Sequence, residues 1–127
     1  MNCHAMNFNV GDHSAHHIRR IVRIYLRQWD MAELSDAAEL ALTELLTNVI
    51  RHVPEQRCSL LILRQHRGVR VEVGDPDPRT PVVGDPNQLD EGGRGLLLVE
   101  AVTDRWGVHP RPPGKTVWFE CDAKAAT

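Results

Sequence analysis

Glu44, Asn48 and His52 stand four residues apart in the run Glu44-Leu45-Leu46-Thr47-Asn48-Val49-Ile50-Arg51-His52. In a helix the three stack on consecutive turns, with a rise of roughly 6 Å per step and a sideways drift of about 40°, so they can address one ligand together. A carboxylate and a carboxamide one turn apart offer a general base beside a neutral oxygen ligand. That pairing suits a hydrated hard cation such as magnesium carrying nucleotide phosphates. Asn is also a mediocre residue for a helix interior, which asks for a reason outside local propensity. A solvated helix edge would show the same spacing, so the other segments of the chain must decide.

A second stretch with chemical potential is Gly92-Gly93-Arg94-Gly95-Leu96. It closes a loop expected from Gly74 to Gly95, which holds Pro76, Pro78, Pro81 and Pro86, and leads into a helix expected from Leu96 to about Asp104. Long loops inside compact domains are more often functional than idle. Glycines let backbone N–H groups come close to a ligand, and a helix N-terminus adds unpaired donors and partial positive charge, so the stretch reads as a phosphate cradle. A plain flexible turn is the alternative. His13 and His17 have the spacing of two metal ligands on a helix, with His16 between them, but no acidic or cysteine ligand lies nearby in sequence. They read as a solvated helix start.

The elements that must carry these groups follow from periodicity. Met6, Phe8 and Val10 alternate with polar residues as a short strand. Asp12 or Ser14 can cap a helix whose apolar stripe is Ile18, Ile21, Val22, Tyr25, Leu26 and Trp29. Arg20, Arg23 and Arg27, with Arg19 beside them, form a basic stripe on its far side, either a solvated face or a docking surface for an acidic partner. After a short connection from Asp30 to Leu34, a second helix runs from Ser35 to before Pro54. Its apolar face is Ala38, Ala41, Leu42, Leu45, Val49 and Val53.

Cys58 to Arg67 and Val69 to Val73 read as a hairpin with Arg67-Gly68 in or near its turn. In the helix from Leu96, the residues Leu97, Leu98, Val99, Ala101 and Val102 suggest that it is mostly buried. Trp106 to His109 and Lys115 to Cys121 form a last pair of strands around the proline-rich turn Pro110 to Gly114. In the final strand Val117, Phe119 and Cys121 face one way, and Thr116, Trp118 and Glu120 the other. Strand, helix, helix, hairpin, loop, helix, hairpin is the order of an α+β two-layer sandwich. It implies a mostly antiparallel, mixed sheet of about five strands with three helices on one face.

At 127 residues the chain is expected to be one domain, with 42% hydrophobic and 25% charged residues and a net charge of -2. That balance argues against direct nucleic-acid binding through bulk positive charge. Cys3, Cys58 and Cys121 are odd in number and far apart, which fits neither a disulfide framework nor a zinc site. No segment has the length or composition of a signal peptide or a membrane span, so no membrane contact and a cytoplasmic setting are expected.

Together the segments resemble the motifs of the GHKL (Bergerat-fold) ATPases, most closely the anti-sigma-factor serine/threonine kinases of the RsbW and SpoIIAB type. Glu44 to His52 resembles the N-box. Val73-Gly74-Asp75 is similar to the start of the first glycine box, Gly93-Arg94-Gly95-Leu96 to the second, and Gly114 to Phe119 to the closing strand. The resemblance covers nearly the whole chain, with its elements in matching order.

It implies a single histidine-kinase-like ATP-binding domain over 1–127 with ATP and Mg2+ as cofactors. Glu44 would be the catalytic base and Asn48 the metal ligand. Asp75 would accept a hydrogen bond from the adenine amino group with Thr116 in support, and Gly93, Arg94, Gly95 and Leu96 would close over the phosphates. The implied partners are a sigma factor and an anti-sigma-factor antagonist protein that is phosphorylated, and a homodimer is compatible with them. The alternative is a non-catalytic ATP-binding or protein-binding module. It is raised by one departure: the family's D-x-G-x-G has Asp77 and Arg79 at its glycine positions, in Asp75-Pro76-Asp77-Pro78-Arg79. Prolines fix φ near about −65° and restrain their predecessors, so this side of the lid should be stiffer.

Overall fold

A computed structural model describes residues 2–11, 14–53, 57–79 and 91–123, at 14 and 91–94 for the backbone alone. Five strands form one sheet, β1 (Cys3–Asn9), β2 (Arg57–Gln65), β3 (Gly68–Asp75), β4 (Arg105–Arg111) and β5 (Gly114–Asp122). They are ordered β1-β2-β3-β5-β4 with every neighbouring pair antiparallel. Helices α1 (Ser14–Gln28), α2 (Ser35–His52) and α3 (Glu91–Val102) complete the α+β fold. Alternation sets the layers: Val69, Val71 and Val73 of β3 and Val117, Phe119 and Cys121 of β5 are buried beneath the helices. Helix α2 lies over these central strands, with α1 against one flank and α3 against the other.

The apolar stripe of α1 buries Ile18, Val22, Leu26 and Trp29 as its spacing requires. The helix stops at Asp30, the one non-glycine residue of the described chain with positive φ, at 59°. The Met31 N–H then bonds back to the Leu26 carbonyl at 2.7 Å and the Asp30 N–H to the Arg27 carbonyl at 3.1 Å. These two bonds close a Schellman end, with Leu26 and Met31 both buried across it. One 3-10 turn, Ala32–Leu34, leads directly into α2. Helix α2 ends at Val53, held extended (φ −109°, ψ 108°) as the residue before Pro54 must be.

Helix α3 departs from the sequence reading. It begins at Glu91 rather than Leu96, so Gly93, Arg94 and Gly95 lie inside its first turns instead of in a loop ahead of it. Glycine costs a helix about 1 kcal/mol per residue, and local pattern therefore reads the stretch as loop. Packing of the buried Leu96 and Val99 against the core, and of Gly95 against α2, outweighs that preference. The helix is also less buried than its run of apolar residues suggests, since Leu98 is 40% exposed and Ala101 is exposed. The loop segment 80–90, with Pro81 and Pro86, lies outside the described residues, as do the Asp12 cap and His13.

Candidate functional site

Helix α2 places Glu44, Asn48 and His52 on consecutive turns. Glu44 and Asn48 are half-buried and His52 is exposed. Among the described residues neither the Glu44 carboxylate nor the Asn48 carboxamide has a hydrogen-bond or ion-pair partner, although the neighbouring Thr43 and Thr47 hydroxyls donate to backbone carbonyls one turn back at 2.7 and 2.8 Å. Facing Glu44 is Gly95 of α3. A Cβ at that position would stand 3.0 Å from Glu44 Oε2 and 3.6 Å from Glu44 Cβ. The bare backbone is what lets the two helices close on the carboxylate, so the N-box-like and second glycine-box-like segments meet. Leu96 beside it is 1% exposed and anchors α3 in the core rather than lining a cleft.

At the end of the sheet, Asp75 is the last residue of β3 and shares the helix-facing side with Val73. Its cross-strand partner is Lys115. Lys115 Nζ donates to Asp75 Oδ1 at 3.1 Å and to the Asp77 carbonyl at 2.9 Å, with side chains only 10% and 6% exposed for Lys115 and Asp75. Thr116 does not support Asp75. One residue further along β5 it points to the opposite face, in the row of Ser59 and Gly74, with Oγ1 3.6 Å from where a side chain on Gly74 would begin. The alternation that turns Val117 inward also turns Lys115 inward, so the signal for the correct residue was present in the sequence.

The Asp75 to Arg79 segment replaces a glycine-rich turn with two side-chain turns in succession. The Asp77 N–H donates to Asp75 Oδ1 at 2.8 Å, and the Arg79 N–H donates to Asp77 Oδ1 at 3.0 Å. Each proline sits in the middle of a turn, where no N–H is needed. The Arg79 guanidinium grips the Asp77 carboxylate at 2.8 and 3.0 Å and reaches the His52 carbonyl at 3.1 Å, satisfying an unpaired acceptor at the end of α2. The Arg79 side chain and backbone N–H hold the Asp77 carboxyl down at about 2. Asp77, Arg79 and Lys115 are thus structural members of this end of the site, the first two at positions where the motif has glycine.

A groove of about 690 Å³ at the same end of the sheet is bordered by Ser59, Gly74, Asp75, Pro76, Lys115 and Thr116, and reaches neither Glu44 nor Asn48. Among the described residues no cluster of three His, Cys, Asp or Glu side chains could hold a metal ion, and His16 and His17 stack edge to face at 5.9 Å. A cation here would rest on Asn48 and on oxygens brought by a ligand, which is how magnesium is commonly held beside nucleotide phosphates.

Comparison with known proteins bears on this arrangement. An uncharacterized protein of Streptomyces coelicolor is 40% identical over 83 residues, covering 62% of this chain and 79% of that protein. Among solved structures, a chain of the SiaB-SiaC complex from Pseudomonas aeruginosa is similar with a TM-score of 0.62 at 13% identity, covering 93% of this chain and 87% of that one, a likeness of fold. Residues 11–121, which take in the acid–amide edge of α2, the glycines of α3 and the Asp75 end of β3, match a domain family along their whole length. By that match the chain belongs to the family of histidine kinase-like ATPase domains.

Proposed function

We propose that this chain is a single ATP-binding regulatory domain that phosphorylates a serine or threonine on an antagonist protein and binds a sigma factor or similar partner. The observation that carries the reading is the pair of half-buried groups Glu44 and Asn48, without hydrogen-bond or ion-pair partners among the described residues, beside a helix whose Gly95 brings its bare backbone against the carboxylate. Nucleotide chemistry fits this donor set. Asn48 would complete a magnesium shell otherwise filled by phosphate oxygens and water, and the α3 N-terminal turns would meet the phosphates with backbone N–H groups.

When bound, magnesium ATP supplies the γ-phosphoryl group and part of the charge neutralisation. Glu44 accepts the proton of the attacking hydroxyl as its oxygen bonds to phosphorus and the bond to ADP breaks. Asp75 marks the base end. The supporting resemblance to anti-sigma-factor kinases gives the protein partners. A second reading, a binding module without transfer, is favoured by one observation: Asp75 is already engaged by Lys115 and by the Asp77 N–H.

Calorimetric titration with ATP, with and without Mg2+, tests the reading. Wild type should bind in a magnesium-dependent way and Asn48→Ala should lose that dependence while keeping its fold. Glu44→Gln should retain ATP yet lose transfer by a factor of roughly 10² to 10⁴, the usual worth of a general base. Equal binding with and without magnesium in wild type removes Asn48 from its role. Transfer that survives Glu44→Gln removes Glu44.

A further inference from the structure

We infer that Lys115 is an internal competitor for the nucleotide base, because its ammonium neutralises the Asp75 carboxylate that the base would use as its acceptor. The inference rests on the nucleotide reading above and concerns the regulation of that same site. A carboxylate that reads a base must have an acceptor lone pair to offer. Asp75 Oδ1 already accepts from two donors, the Asp77 N–H at 2.8 Å and Lys115 Nζ at 3.1 Å, which leaves a base only Oδ2, on a carboxylate whose charge the ammonium already offsets.

Three features make the pair a fixed part of the fold rather than a passing surface contact. Asp75 and Lys115 are direct partners in the β3–β5 ladder, so backbone register sets them side by side. Their side chains are 6% and 10% exposed, so water screens their attraction little. The ammonium is held a second time, by the Asp77 carbonyl at 2.9 Å, and Asp77 is in turn gripped by Arg79, which is bonded to the end of α2. An ammonium is a stronger donor to a carboxylate than the neutral amino group of a base, because its hydrogen bond is charge-assisted. The base therefore enters at a disadvantage that an aspartate without a lysine opposite would not impose. Removing the ammonium leaves a nearly dry carboxylate short of donors, and such a group gains most from a ligand N–H.

The test compares wild type with Lys115→Met, which keeps the length of the stem and loses the charge, using Mg2+-ATP and Mg2+-tripolyphosphate as titrants. The free variant should melt at a lower temperature than wild type. It should bind Mg2+-ATP at least tenfold more tightly, and its affinity for tripolyphosphate, which has no base, should not change. Lys115→Arg, which keeps a cation opposite Asp75, should bind ATP as weakly as wild type.

Lys115→Gln covers the case in which the methionine variant does not fold, and should also bind ATP more tightly than wild type. If the neutral variants bind ATP no better than wild type, or lose affinity for ATP and tripolyphosphate alike, Lys115 is not a competitor for the base, and the magnesium-dependent nucleotide reading stands by itself. If neither wild type nor any variant binds Mg2+-ATP, both readings fall.

Discussion

At Gly95 two readings of one glycine can be separated. A glycine in a helix is either a weakness in the fold or an opening for something else, and here its φ is negative, so a side chain meets no backbone penalty. What a Cβ would meet is Glu44 Oε2, the far end of a flexible side chain, at 3.0 Å. Gly95→Ala should therefore leave thermal stability unchanged or raise it, since alanine is favoured over glycine in a helix by about 1 kcal/mol. It should also push the carboxylate aside and lower phosphoryl transfer at least tenfold, with a smaller effect on Mg2+-ATP affinity. A thermal melt and a transfer assay on the same preparation check this, and a variant that is more stable and fully active would show that Glu44 does not need its present position. At this scale the sequence was legible where spacing alone decides, as for the placement of Glu44 and Asn48 one turn apart in α2. It misled where a motif was followed past its geometry, as for Thr116, which strand alternation places on the wrong face. Lys115 was legible in part, since alternation turns it inward with Val117, whereas its ion pair shows only once Asp75 is known as its cross-strand partner.

Helices α1 and α2 were legible because each carries one apolar stripe at helical spacing, with no glycine or proline to contradict it. The start of α3 was not, because what orders its glycines is the packing of Leu96 and Val99, contacts that are distant in sequence. The basic stripe of α1 also looks different once α2 lies beside it. Arg23 is not a free docking residue, since its guanidinium holds Glu39 of α2 at 2.7 and 3.0 Å and the Glu39 side chain is only 12% exposed. Arg19 leans the same way, 3.5 Å from the Thr43 hydroxyl, whereas Arg20 is exposed. Charge reversal should split accordingly. Arg23→Glu places a carboxylate against Glu39 and should lower the melting temperature, with part of the loss recovered in high salt, where like charges are screened. Arg20→Glu should leave the melt unchanged, and if the stripe docks an acidic partner it should slow association at low ionic strength. Melts of the two variants at two salt concentrations separate the roles, and equal effects would mean that the Arg23–Glu39 contact contributes nothing to the helix pair.

For the molecule as a whole, three helices cover one face of the sheet, and the other face is closed by side chains of the sheet itself. Glu120 in β5 is its centre. Its carboxylate accepts from Gln65 at 2.8 Å, Arg70 at 3.0 Å and Arg105 at 2.7 Å, from strands on both sides, while Arg70 also bonds Glu72 at 2.8 Å and lies 4.0 Å over the Trp118 ring. With only 12% of its side chain exposed, Glu120 joins β2, β3, β4 and β5 across their outer surface. The Arg105 hydrogen bond is the largest cause that holds its carboxyl down at about 2, against burial, which works the other way. A carboxyl whose folded pKa lies below its unfolded value contributes stability that is fully present above the unfolded value, near 4.5, and that is lost as pH falls toward the folded one, near 2. Asp77, held down by Arg79 to about 2, adds a loss in the same direction at the site end of the sheet. Glu120→Gln should accordingly be less stable than wild type at pH 7, and the gap should narrow between pH 4.5 and pH 2, because protonation does to wild type what the substitution has already done. Denaturant midpoints for both proteins at pH 7, 4.5, 3 and 2 measure it, and a gap that stays constant across that range would mean that the outer network is held by packing on Trp118 rather than by the charge of Glu120.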